Sequence, residues 1–267
     1  MPLAVCATPI GNLEDVTLRV LRELRDADVV LCEDTRHTRK LLARHGIRVR
    51  LLSYHQHNEA RRTQELLPRL EGGDRVALVS DSGLPGISDP GARLIQAALE
   101  AGMQVTVLPG ASSVETALVA SGLVGDEGYQ FVGYLPRGEG ALLALGKELS
   151  RRAWPVVAFE SPQRLAASLR VLARVIPGRP AAVCRELTKR FEEVSRGTVS
   201  ELAQRFQGGT KGEITLVFGG VEAEPDMGAA EKAVAELLES GVSRRRAAEI
   251  VAGLTGVARN RLYKASL

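Results

Sequence analysis

Short apolar, β-branched runs alternate along the first half of the chain with stretches whose apolar residues recur at helical spacing. The runs at 3–8, 29–33, 50–54, 75–80 and 105–108 predict strands, because a strand buried on both faces reads as a continuous apolar segment. Helices are predicted between them. One covers 16–27, with Val16, Val20 and Leu24 on a single stripe, and the next covers 38–45, stopped by Gly46. A third is predicted from an Asn58 cap to 71, and a fourth from the cap-plus-proline pair Asp89-Pro90 to 101. A fifth follows PGASS (109–113) and ends at Ser121. Such βαβα alternation predicts a parallel sheet covered by helices.

The pattern then restarts. Strands are predicted at 130–134, 156–160, 181–186 and 213–218, with a short one at 191–196, and Ser161-Pro162 repeats the cap-plus-proline signature. Segments 122–128 and 222–228 read as linkers, and 227–267 as two or three short helices broken at Gly241 and near Gly253. The expected organisation is therefore an α/β protein of two α/β domains (1–121 and 122–221) followed by a small helical basic tail (222–267).

Composition narrows the class. With 45% apolar and 25% charged residues in 267, the chain has the make-up of a soluble globular protein. The net charge of +3 singles out no partner, but its distribution does. Residues 36–62 hold all four histidines and eight Arg or Lys against one acid, Glu59; 243–267 hold six against Glu249. Cys6, Cys32 and Cys184 form no paired motif, and no apolar segment approaches the ~20 residues of a membrane span. A reduced, cytoplasmic protein without a targeting segment is expected.

Candidate chemistry gathers where predicted strands give way to helices, the place where open α/β sheets bind ligands. Three loops, 8–12, 80–89 and 109–113, leave the same sheet edge and describe a cleft floor. Neither G-x-G-x-x-G nor G-x-x-x-x-G-K-[ST] occurs, which argues against NAD and ATP. Glu33-Asp34-Thr35-Arg36 reads either as a helix cap with a surface pair or as a polar cluster at the cleft mouth. His55 and His57 share a face if the strand continues through them, but nothing completes a metal site, so no metal is expected.

Nine motifs in order carry a resemblance over essentially the whole chain: ATPIGNLEDVTLR (7–19), CEDTRHT (32–38), SYHQHNE (53–59), VSDSGLPGISDPG (79–91), PGASS (109–113), FVGYLP (131–136), FESPQR (159–164), RELTKRFEE (185–193) and GEITLVF (212–218). The sequence resembles the tetrapyrrole methylase superfamily, and within it the branch that methylates a cytidine ribose 2′-hydroxyl of small-subunit (16S) ribosomal RNA. That resemblance implies a homodimer that binds S-adenosylmethionine between its domains and acts on the assembled small subunit. Cofactor contacts then fall on Pro9, on Gly83, Leu84, Pro85, Gly86, Ile87 and Ser88, on Ser112 and Ser113, on Leu135, and on Glu213 and Thr215. Leu84 stands where relatives commonly carry threonine, and Gln163 where they commonly carry histidine.

Transfer to a hydroxyl calls for a base or a cation that stabilises the developing alkoxide. Asp34, Glu59, Asp81 and Lys189 are the candidates, unranked; a Lys189 base needs a lowered pKa, which Arg185 and Arg190 would favour. Arg36, His55 and His57 are expected to hold RNA phosphates. Two rival readings stay open: a methyltransferase for a tetrapyrrole or a protein side chain, and a non-enzymatic ribosome-binding protein with a relict cleft.

Overall fold

The computed structural model describes residues 2–125, 128–221 and 227–266. The first half builds a five-stranded sheet from β1 (Leu3–Cys6), β2 (Val29–Cys32), β3 (Leu51–Ser53), β4 (Val76–Val79) and β5 (Val105–Leu108). Their order is β3-β2-β4-β1-β5 and every pairing is parallel, as the alternation predicts. Successive side chains go to opposite faces. Ala4, Cys6, Val30, Cys32, Ala77 and Val79 pack under α1 (Leu18–Asp26) and α2 (Thr35–Arg44). Leu3, Val5, Val29, Leu31, Val76 and Leu78 pack under α3 (Glu59–Glu71) and α4 (Ala92–Glu100). Burial pushes the Cys6 thiol up to about 12 and raises that of Cys32. Cys184, in the second half, is pushed up to about 11 by the same cause. All three cysteines are free and buried. Thiol reagents at pH 8 are expected to label none of them until the protein is unfolded, because the thiolate is the nucleophile; rapid labelling of the native protein would contradict that.

Two predicted helix starts move. The helix expected from 38 begins three residues earlier, at Thr35 behind Asp34, and Asp89-Pro90 does not open α4. Gly91, at φ 140°, is the N-cap, which leaves Asp89 in the loop. The start of α3 stays where it is predicted, at Glu59 with Asn58 in the N-cap position, but the Asn58 side chain turns back, accepting from the His55 amide at 2.9 Å and donating to the Ser53 carbonyl at 3.2 Å.

The second sheet is mixed rather than parallel. Its strands are β6 (Gln130–Tyr134), β7 (Val156–Glu160), β8 (Pro180–Arg185), β9 (Glu193–Thr198) and β10 (Ile214–Phe218), in the order β6-β7-β10-β8-β9. Only β6 and β7 run parallel; β10 inserts antiparallel to both neighbours, and β8 and β9 pair directly as antiparallel strands. The helices α6 (Glu139–Leu149), α7 (Leu165–Ala173) and α8 (Val199–Arg205) cover one face. The helix α5 (Ser113–Ser121) leaves the first sheet but packs on the other face of the second, placing Val114, Ala117 and Leu118 against Val157, Ala182, Cys184 and Val217. Ser161-Pro162 starts a turn, not a helix; α7 begins three residues later.

Residues 151–153 group with 221–267 in a separate unit. Its helices α9 (Met227–Glu239), α10 (Arg244–Thr255) and α11 (Arg259–Ala265) enclose Ala230, Val234, Ala247, Ala248, Val251 and Leu262. The break expected near Gly253 falls at Gly256, which is left-handed and donates back to the Ala252 carbonyl; Gly253 stays within α10. Parts of both expected linkers, 126–127 and 222–226, lie outside the described residues. No helix among those described is long and apolar enough to cross a membrane.

Candidate active site

At the C-terminal edge of the first sheet the loops are stitched together. Thr8 and Gly83 exchange backbone bonds of 2.8 and 3.1 Å, and the Thr8 hydroxyl donates to the Ser80 carbonyl at 3.0 Å. Gly110 follows β5 so closely that a Cβ there would lie 2.9 Å from Ala7 Cβ. These contacts hold one wall of a cleft of about 600 Å³, within the range of small-molecule sites. The opposite wall comes from the second sheet: Tyr134 at the end of β6, Phe159 and Glu160 at the end of β7, the 184–187 turn, and Gly212 to Thr215 leading into β10.

Eight of the twelve residues expected at the cofactor line this cleft: Gly83, Leu84, Ile87, Ser88, Ser112, Ser113, Glu213 and Thr215. Pro9, Pro85 and Gly86 lie in the same loops but do not reach it. Leu135 points its side chain into the core of the second sheet, and its carbonyl accepts from Arg164 at 3.0 Å. The Ser112 hydroxyl is bonded to Glu115, so that residue offers the cleft its backbone.

The expected catalytic and RNA-contacting residues fare differently. Asp34 caps α2 and pairs with Arg36, accepting its amide at 2.8 Å and its guanidinium at 2.7 Å; these bonds hold the Asp34 carboxyl well below the carboxylate range. Asp81 accepts the Asp34 amide at 3.1 Å. Glu59 begins α3 and lies 3.7 Å from Arg93, away from the cleft. Lys189 corrects the expectation of a lowered pKa. Burial alone lowers it, but the carboxylates of Glu213 and Glu186, each 3.0 Å from Nζ, outweigh that and raise it, while Arg185 is engaged by Glu193. His55 and His57 lie beyond β3, not in it; their rings meet edge-on at 5.8 Å, and Asn58 holds the His55 ring at 3.2 Å.

Several cleft residues escaped the sequence reading: Asp89, Tyr134, Phe159, Glu186 and Gly212. Each sits inside or beside a motif that was singled out, but nothing in residue type says which side chains face inward. Tyr134 is 62% exposed and packs edge-on to Phe159, with centroids 5.5 Å apart. Its hydroxyl pKa is raised by burial first, then by the carboxylates of Asp89, Glu213, Glu160 and Glu33. The described non-glycine residues with left-handed backbone are Ser88, Glu186 and Thr188, two of them lining the cleft. Such strain concentrates at functional sites.

A cleft at the strand ends of a parallel sheet, closed by a second mixed sheet, defines an α/β protein built to bind a small ligand. Residues 2–203 match the family described as Tetrapyrrole (Corrin/Porphyrin) Methylases. A "Ribosomal RNA small subunit methyltransferase I" of Mesorhizobium japonicum is 43% identical over 98% of this chain and 90% of its own length. One of the same name from Thermotoga maritima is 42% identical over 82% of this chain and 99% of its own length. Among solved structures, uroporphyrin-III C-methyl transferase from Thermus thermophilus, complexed with S-adenosyl homocysteine, is similar with a TM-score of 0.56 at 20% identity, covering 81% of this chain and 96% of that one. The chain belongs to the tetrapyrrole methylase family.

Proposed function

We propose that this protein transfers a methyl group from S-adenosylmethionine to the 2′-hydroxyl of a cytidine ribose in 16S ribosomal RNA, acting in the cytoplasm as a homodimer on the assembled small subunit. The observation that carries the reading is the match, nearly end to end, to relatives named for small-subunit ribosomal RNA methylation. The cleft suits the cofactor. Ile10, Leu84, Leu187 and Ile214 supply apolar surface for an adenine, and the backbone of 112–113 supplies polar contacts. Asp89 lines the cleft with no ion-pair partner among the described residues, and its negative charge favours a sulfonium cation.

When bound, the cofactor supplies a methyl group already activated on sulfur. What remains for the protein is alignment of the acceptor oxygen with that carbon, worth ~7–11 kcal/mol in well-oriented systems. The RNA reading draws on α2, whose exposed residues include Arg36, Arg39, Lys40 and Arg44, and which starts at the cleft edge where Asp34 meets Asp81. Arg39 and Lys40 have no ion-pair partner among the described residues, which leaves them available to phosphate oxygens. With Arg36, His55 and His57 they form the proposed RNA contacts.

The test is transfer of labelled methyl from S-adenosylmethionine to small subunits lacking native modification, with naked RNA, large subunits and a tetrapyrrole as controls. Label on one cytidine ribose of the small subunit is the expected result. Label on the tetrapyrrole alone overturns the substrate, and no measurable cofactor binding overturns the enzyme.

A further inference from the structure

We propose that Asp89 is the catalytic base, its carboxylate accepting the proton of the attacking hydroxyl; this rests on the reading that the chain methylates a ribose oxygen. Asp89, Glu160, Glu186 and Glu213 are the carboxylate residues lining the cleft. Glu160 is tied to Arg164, and Glu186 and Glu213 share Lys189. Asp89 lines the same cleft and has no ion-pair partner among the described residues. A carboxylate locked onto a cation is a poor proton acceptor, so only Asp89 is free to act as one.

Its surroundings add to this. Asp89 is released from helix capping because α4 starts at Gly91, and the loop holds it half-buried beside the Ser80 hydroxyl. The groups that face it are Glu33 from the end of β2, with His55 beside Glu33, Asp81 after β4, and Tyr134 across the cleft. Burial, then the charge of Glu33 and Asp81 against the opposing Ser80 bond, pushes the Asp89 carboxyl up to about 6. A base is most effective when its pKa lies near the working pH.

The step balances. The hydroxyl proton passes to an Asp89 oxygen while the hydroxyl oxygen's electron pair forms the new bond to the methyl carbon. The carbon–sulfur bonding pair stays on sulfur, so sulfonium and carboxylate become a neutral thioether and a neutral acid. Asp89 then loses its proton to water.

Three measurements on the full chain test the role. In wild type, the rate of transfer to small subunits should rise with pH along a limb near 6. Asp89→Asn should remove that limb and lower the rate by roughly 10²–10⁴-fold, the usual contribution of such a base, with S-adenosylhomocysteine affinity kept. Carbon NMR of carboxyl-labelled aspartates in the unliganded protein should show one titrating near 6 that is missing from Asp89→Asn. Glu33→Gln should move the limb to lower pH, because loss of a neighbouring negative charge eases ionisation. A wild type that methylates the subunit beside an Asp89→Asn variant with undiminished rate and an intact limb overturns the role of Asp89 and leaves the proposed function standing. No transfer by the wild type overturns both.

Discussion

Replacing Arg164 with alanine is expected to cost about 3 kcal/mol and lower the thermal midpoint by roughly 10 °C. Glu160 is the reason. Its side chain is completely buried at the end of β7, where one oxygen takes the Arg164 guanidinium and the Ser161 amide at 2.6 Å and the other takes the Ser168 hydroxyl at 2.5 Å. Removing the arginine strands an ionised carboxylate inside the protein. Glu160→Gln is the informative contrast, because Arg164 is 28% exposed and also donates to the carbonyls of Leu135 and Pro136. The cation can then be solvated, and a loss of about 1 kcal/mol is expected, the size of an ordinary hydrogen bond. Thermal unfolding of both variants decides it; an inverted order would show that the arginine, not the glutamate, is the costly partner to strand.

The second large effect is expected on binding. Gly212 has φ 92°, and a Cβ there would lie 2.5 Å from Glu186 Cγ and 2.7 Å from its Cδ. Glu186 cannot move aside freely, since its Oε1 accepts the Glu213 amide at 2.9 Å and Lys189 Nζ at 3.0 Å. A valine at 212 adds backbone strain of ~1–3 kcal/mol and breaks this link between two cleft-lining turns. Calorimetric titration with S-adenosylhomocysteine should show affinity at least about tenfold weaker, tenfold being ~1.4 kcal/mol. Unchanged affinity would mean that the 212–213 turn does not shape the site.

The first sheet was legible because both its faces are covered. Leu3–Cys6 and Val76–Val79 are fully buried runs, and together with the helices alternating between them they are the signature of a parallel sheet. The direction of strands in the second sheet was not legible. An apolar run such as Ile214–Phe218 is the same in a parallel or an antiparallel pairing, and the connection that decides it is a matter of topology. A helix start misled for a different reason. Asp89 is a cap-forming type in a suitable place, but the positive φ of Gly91 ended the loop two residues after it; Asn58 does stand at the start of its helix, with its side chain bonded to His55 and Ser53 instead of capping. Lys189 failed through its neighbours in space. Its ammonium group meets Glu186 and, from 24 positions away, Glu213, rather than the arginines beside it in sequence.

Exchange of α5 between the halves has a consequence for how the chain comes apart. This helix is joined covalently to the strand that ends the first sheet, yet its apolar side is spent on the second, against β7, β8 and β10. Opening the second sheet's core therefore removes the support of the 109–113 turn, and loss of the first sheet frees the helix that seals the second. The two sheets are therefore expected to unfold as one cooperative unit, and a chain cut in the 122–128 segment is expected to stay together through α5 as a fragment complex does.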